Sequence, residues 1–185
     1  MSPALPRTPL LTARLLLRPY EPADAPAFAA LLLANQARIQ VSFPERLQAA
    51  LAPGGALASI QNFMQDWRTG RFYVLGIWQH NTSHYLGDIC LLPHPPTGGE
   101  IGYYLAAEAE GQGYAREALE AVVAFGFGTL GLSSLTIRCY ASNERAQAVA
   151  RAIGFQEDIV PPKKSFWFRS LSSTEEIRRF VLTRS

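Results

Sequence analysis

Hydrophobic positions along the chain follow two periods, and the changes between them mark out the elements. Leu15, Leu16 and Leu17, set between Arg14 and Arg18, predict a first strand over 14–20, ended by the turn-formers Pro19 and Pro22. After Asp24 the residues Ala27, Phe28, Leu31 and Leu32 fall at helical spacing and predict a helix with one apolar face. Pro53-Gly54-Gly55 must break whatever occupies 47–55. A second helix follows, with Leu57, Ile60, Met64 and Trp67 on one stripe and Gly70 as its stop. Strands are expected at 72–78, 85–92 and 100–105, an antiparallel meander turning first at His80-Asn81-Thr82-Ser83 and then through the Pro/Gly-rich run 93–99.

Beyond residue 110 the helical period returns. Ala115, Ala118, Leu119 and Val122 share a face, Gly126, Gly128 and Gly131 are expected to end the helix, and 134–140 reads as a strand. The result is a strand, helix, strand unit with a glycine turn at the helix start. Asn143 is placed to cap a last helix running to Ile153, with Gly154 at its C-terminal glycine position. Two closing strands are expected at 155–159 and 179–183. Between them lie the loop 161–164 and the stretch Phe166-Trp167-Phe168, which reads either as a substrate mouth or as half-buried strand.

Composition narrows the classes. With 185 residues and 48% hydrophobic content, the chain suits one domain over 1–185. The 17 basic and 15 acidic residues leave a net charge of +2, and the lysines are Lys163 and Lys164 alone, so charge gives no case for binding nucleic acid or a membrane. Small-molecule or protein substrates are the better expectation, with the chain a monomer or a homodimer. Cys90 and Cys139 sit in apolar runs and read as buried thiols. His80, His84 and His94 lack ligand spacing, so no metal is expected. No apolar run reaches the roughly 20 residues that span a bilayer, and a cytoplasmic location is expected.

The segment Glu110-Gly111-Gln112-Gly113-Tyr114-Ala115 opens the helix that follows the meander. The first amides of a helix have no intrahelical partner and carry the positive end of its dipole, which suits an anion. Glycines at 111 and 113 let a phosphate approach the backbone, though a tight turn with no ligand would use the same residues. Arg116 stands where a dinucleotide fingerprint needs a small residue, and the Gly-Lys-Ser/Thr of a P-loop is missing.

Taken in order, Glu100-Ile101-Gly102-Tyr103-Tyr104-Leu105, the glycine turn with Arg116-Glu117-Ala118-Leu119, and Asn143 followed by Gly154-Phe155 resemble the GNAT superfamily of N-acetyltransferases. The opening Arg14-Leu15-Leu16-Leu17-Arg18-Pro19-Tyr20 with Asp24 resembles its ribosomal-protein (Rim-type) N-terminal acetyltransferase branch. The likeness implies an α/β (α+β) fold with a central, mixed, mostly antiparallel twisted sheet of about six to seven strands, helices on both faces, and splayed central strands. It implies acetyl-CoA as co-substrate. Backbone groups near Tyr104 and Leu105 would meet the pantetheine arm, the turn from Glu110 through Gly111, Gln112, Gly113, Tyr114 and Ala115 to Arg116 would hold the pyrophosphate, and Asn143 would reach the arm besides capping its helix. The acceptor would be a primary amine, a protein N-terminus or a small amine.

Catalytic candidates are less marked. Glu100 opens the strand that leads to the acetyl site and is the candidate base, against the alternative of an exposed strand-end carboxylate. Tyr140 and Ser142 are candidates for placing the amine or protonating the thiolate, with Tyr103 and Tyr104 as alternatives, and Glu157 and Asp158 are weaker acids. Two departures from the resemblance stand out. Ala146 and Ala150 occupy the last-helix positions where relatives often carry a serine or tyrosine acid, which keeps open a non-catalytic acyl-CoA-binding or sensor module. Glu110 puts a negative charge where Arg or Gln is common, and Arg116 is the expected offset.

Overall fold

The structure is a computed structural model that describes residues 9–159 and 176–184. Its strands form one sheet. Strand β1 (Leu10–Leu11) is too short to show a period in the sequence, and it pairs with β2 (Leu15–Arg18). β3 (Tyr73–Gln79), β4 (Tyr85–His94) and β5 (Gly98–Leu105) form the expected meander. β6 (Ser134–Tyr140), β7 (Gln156–Asp158) and β8 (Ile177–Thr183) complete it. The sheet has 8 strands in the order β1-β2-β3-β4-β5-β6-β8-β7, and every neighbouring pair is antiparallel except β5 with β6. The short β1 accounts for the strand beyond the six to seven expected.

Four helices precede β3: α1 (Ala25–Ala34), α2 (Gln36–Ser42), α3 (Pro44–Leu51) and α4 (Gly55–Thr69). Phe28, Leu31 and Leu32 of α1 are buried as the spacing implies, whereas Ala27 is exposed. Ile60 and Trp67 carry the buried stripe of α4, and Leu57 faces solvent. The second half of α3 falls in 47–55; the helix is begun by Pro44, whose fixed φ suits a first helical turn, and ends at Leu51, just before Pro53-Gly54-Gly55.

Side chains alternate between the two sheet faces. Gly102 of β5 faces Phe43, between α2 and α3, so these helices cover the face that also holds Asp88 and Cys90. On the opposite face, α5 (Tyr114–Ala124) buries Ala118, Leu119 and Val122. This helix does not end at Gly126. It continues as a π-helical turn, Phe125–Thr129, and Gly126 serves contact instead: a β-carbon there would lie 3.2 to 3.4 Å from Leu135 and Leu91. The chain turns at Gly131, whose φ of +66° suits glycine. The last helix, α6 (Glu144–Ala152), starts at its expected cap, with Asn143 Oδ1 accepting from the Ala146 amide at 3.1 Å. The stretches 161–164 and 166–168 lie outside the described residues.

Candidate functional site

β5 and β6 run side by side only from Gly98↔Ser134 to Ile101↔Ile137. Past that point β5 continues to Leu105 against β4, and β6 continues to Tyr140 against β8. The two strands thus open into a fork in the middle of the sheet. A small cavity of about 70 Å³ lies in it, lined by Phe43, Gly102, Tyr103, Arg138, Cys139 and Asn143, among others. Ala146 lines it too, so α6 presents a methyl group to the cavity. A larger groove of about 1060 Å³ runs along the alanines of α1. Its walls are α1, the end of the β3–β4 hairpin, Leu16 and Arg18 of β2, and Ala106 and Glu108 beyond β5, and no parting of strands opens into it.

β5 leads into a 3₁₀ turn (Ala107–Ala109) and then into the glycine turn. Gly111 and Gly113 have φ of +72° and +79°, so both need glycine for backbone reasons. A β-carbon at Gly111 would meet nothing within 4 Å, so this glycine faces open space and is required by its φ and not by a close neighbour. The helix start is held by a pairing that the sequence does not announce, between two segments of the resemblance and Thr12. Glu117 accepts from Thr12 Oγ1 at 2.5 Å, the Arg14 amide at 2.8 Å and Arg14 Nε at 2.7 Å, while Arg14 Nη1 donates to the Gln112 carbonyl at 2.8 Å. The Arg14 guanidinium also lies 4.6 Å from the ring centre of Tyr114. The fold of β1 onto β2 therefore fixes the turn.

Arg116 does not offset Glu110; it pairs with Glu120 one helical turn on, at 2.8 Å. Instead, Glu110 receives Arg38 from α2 and Arg145 from α6, the latter at 2.5 Å. Tyr104 and Leu105 sit on the diverging part of β5, as expected, and Tyr104 turns its hydroxyl to Asp88 at 2.7 Å.

Glu100 is buried, at 3% exposure, and forms an ion pair with Arg138, which removes the reading of an exposed strand-end acid. It lies one residue before the fork opens, on the face of Gly102 and Tyr104. Tyr140 is buried on β6, Ser142 is exposed in the turn before α6, and neither is among the residues lining the fork cavity. Tyr103 does line it, and burial raises its phenol pKa well above the ordinary value, so it keeps its proton. Burial also pushes the Cys139 thiol up to about 11 and the Cys90 thiol up to about 12. Glu157 pairs with Arg151 and Arg178, and Asp158 with Arg179, and neither acid is among the residues lining the fork cavity, although the Glu157 charge is felt at Cys139.

A buried polar cluster behind the fork also went unread. Asp88, at 0% exposure, receives Arg46 at 2.6 Å, the Tyr104 hydroxyl at 2.7 Å and the Tyr20 hydroxyl at 3.0 Å, and Tyr20 shares a 2.5 Å contact with the Tyr85 hydroxyl. The available signal was Asp88 itself, the one charged residue in the apolar run 85–92. Among the described residues, no three His, Cys, Asp or Glu side chains are grouped to hold a metal ion, and no helix is long and apolar enough to cross a membrane.

The family model described as "Acetyltransferase (GNAT) domain" matches residues 14–156. The chain belongs to the GNAT acetyltransferase family. It is 31% identical over 154 residues to the Bacillus subtilis (strain 168) protein named "Putative ribosomal N-acetyltransferase YdaF", covering 80% of this chain and 79% of that one. Among solved structures, the ribosomal-protein-S5-alanine acetyltransferase of Vibrio fischeri superposes with a TM-score of 0.82 at 18% identity, covering 96% of this chain and 97% of that one. RimL, a ribosomal L7/L12 α-N-protein acetyltransferase solved with coenzyme A, gives 0.80 at 19% identity, covering 95% and 98%. At these identities the two structures speak for the fold alone. The GNAT acetyltransferase then has a forked sheet with a glycine turn at its mouth.

Proposed function

We propose that this enzyme, as one N-acetyltransferase domain over 1–185, transfers an acetyl group from acetyl-CoA to a primary amine by direct attack in a ternary complex. The acceptor is a protein N-terminal α-amine or a small amine, in the cytoplasm. The observation that carries this reading is the fork: its strands part after Ile101 and Ile137, and β5 leads on to the open turn at Gly111. The named relatives act, by their names, on ribosomal proteins, which supports a protein acceptor.

Acetyl-CoA supplies a thioester carbonyl and a thiolate leaving group. The chain supplies the rest. Amides from Gly111 to Ala115 hold the pyrophosphate at the positive end of α5, with Glu110, Gln112 and Arg116 flanking them. Backbone groups at Tyr104 and Leu105 meet the pantetheine and polarise the carbonyl. Asn143 reaches the arm while capping α6. Glu100, held by Arg138, takes the amine proton directly or through a water. Tyr103 donates to the leaving sulfur without surrendering its proton, which suits a thiol whose reference pKa is only about 8.5. Tyr140 and Ser142, off the cavity wall where β6 gives way to α6, position the incoming amine. An α-amine, with a pKa near 8, is neutral in roughly a tenth of molecules at pH 7, against fewer than about one in a thousand for lysine, so a site this sparsely equipped favours α-amines.

The test is a thiol-release assay with acetyl-CoA and peptides carrying either a free N-terminus or only a free lysine. Turnover should appear with the first group and fall by roughly two orders of magnitude with the second. Silence across the panel from folded, CoA-loaded protein would sink the reading. Ala146 on the fork wall favours one second reading, a non-catalytic acyl-CoA-binding module. Turnover that drops about 100-fold or more in Glu100→Gln would exclude it.

A further inference from the structure

Glu110 is held from two separate helices. Arg38 comes from α2, whose C-terminal neighbour Phe43 lines the fork cavity, and Arg145 comes from α6, whose Ala146 lines it too. Both guanidiniums end on a carboxylate whose backbone is next to Gly111. They therefore stand within one side chain's reach of the turn proposed above for the pyrophosphate. All three side chains are partly open to solvent, at 43% for Arg38, 30% for Glu110 and 83% for Arg145. Exposed ion pairs add little to stability, so this arrangement is poorly explained as a structural brace. A planar guanidinium pairs with a phosphate as readily as with a carboxylate, and more strongly with the larger charge. The three groups sum to one positive charge while Glu110 occupies the arms, and two positive charges face the turn once it lets go.

We propose that Arg38 and Arg145 are phosphate-binding arms for the co-substrate and that Glu110 is a placeholder carboxylate, occupying them until a phosphate of CoA displaces it. This rests on the function proposed above and adds to it a pair of ligands from two different helices, so that binding at the turn engages both α2 and α6. The negative residue at the head of the turn then has a role: it keeps the arms extended across the cleft, and it sets a threshold that weak anions do not pass.

The experiment is calorimetric titration of CoA into the full chain and into Glu110→Gln, Arg38→Gln/Arg145→Gln and the triple variant, with melting temperatures as a check on folding. Glu110→Gln should tighten CoA binding by about threefold to tenfold, and the paired arginine variant should weaken it by a similar factor. Removing a nearby negative charge would help CoA a little by itself, so the decisive quantity is the coupling. The gain from Glu110→Gln should shrink by at least about threefold when both arginines are already glutamine. Dephospho-CoA assigns the phosphate: a coupling that vanishes with it places the arms on the 3′-phosphate, and one that persists places them on the pyrophosphate. An unchanged or weaker affinity in Glu110→Gln, or a gain undiminished in the triple variant, overturns the placeholder. Failure of the unaltered protein to bind CoA would instead remove the function on which the placeholder rests, so the two failures are told apart.

Discussion

Asp88 accepts four polar neighbours' worth of organisation from one position in β4. Arg46 and the hydroxyls of Tyr104 and Tyr20 converge on it directly, and Tyr85 joins through Tyr20. Burial, reinforced by the Asp88 charge, raises the phenol pKa values of Tyr20, Tyr85 and Tyr104, so all three stay protonated and Tyr20 and Tyr104 donate to the carboxylate. Removing the negative charge leaves the Arg46 guanidinium facing an amide in a site with almost no water. Asp88→Asn should therefore destabilise the fold by about 3–5 kcal/mol in urea titration, and a loss below about 1 kcal/mol would show that the pair is not what holds the cluster. At this scale the sequence was read unevenly. The glycines, the Asn143 cap and the two buried thiols follow from local rules about backbone freedom, side-chain reach and transfer from water. Glu110 shows the limit: its partners lie 72 and 35 residues away, and no spacing rule connects them.

Among the elements, α5 depends most on contacts that only folding supplies. Its first turn is tied to the β1–β2 hairpin by Glu117, which takes three hydrogen bonds from Thr12 and Arg14. Burial alone would raise the Glu117 pKa, but those bonds and the Arg14 charge outweigh it and hold it below the ordinary carboxylate value. A carboxyl whose folded pKa is lowered contributes stability above its unfolded pKa, about 4.3, and loses it as pH falls through the folded value. Glu117→Gln should accordingly be less stable than the unaltered protein at pH 7, with the gap closing as urea titrations are moved toward pH 3. A gap of constant size across that range would show that charge is not the source. The helical period announces α5 itself but not its continuation through Gly126, because glycine both stops helices and admits close neighbours, and sequence alone does not separate the two uses. Similarly, α2 and α3 are short, and Phe43-Pro44 divides them before either completes a persuasive apolar stripe.

Seen whole, the molecule is two runs of sheet, β1 to β5 and β6 with β8 and β7, whose strands meet in the ladder Gly98–Ile101 against Ser134–Ile137. The antiparallel meander was legible because its turns are local. The fork entered only through the family resemblance, since a parallel pairing across the whole of α5 leaves no mark on either strand, and the insertion of β8 between β6 and β7 left none at all. That construction has a thermodynamic consequence. A ligand held between the diverging strands, with its phosphates on α5, contacts both runs and so stabilises the entire folded state and not one lobe of it. At a CoA concentration about 100 times its dissociation constant, the gain is about 2.7 kcal/mol. For a chain of this size each kcal/mol moves the melting point by about 2–4 °C, giving a shift of roughly 5–10 °C. Differential scanning calorimetry should show one transition moving as a unit, and ADP, which lacks the pantetheine arm, should move it less at matched concentration. An ADP shift equal to that of CoA would mean that the turn binds phosphate while the fork holds nothing.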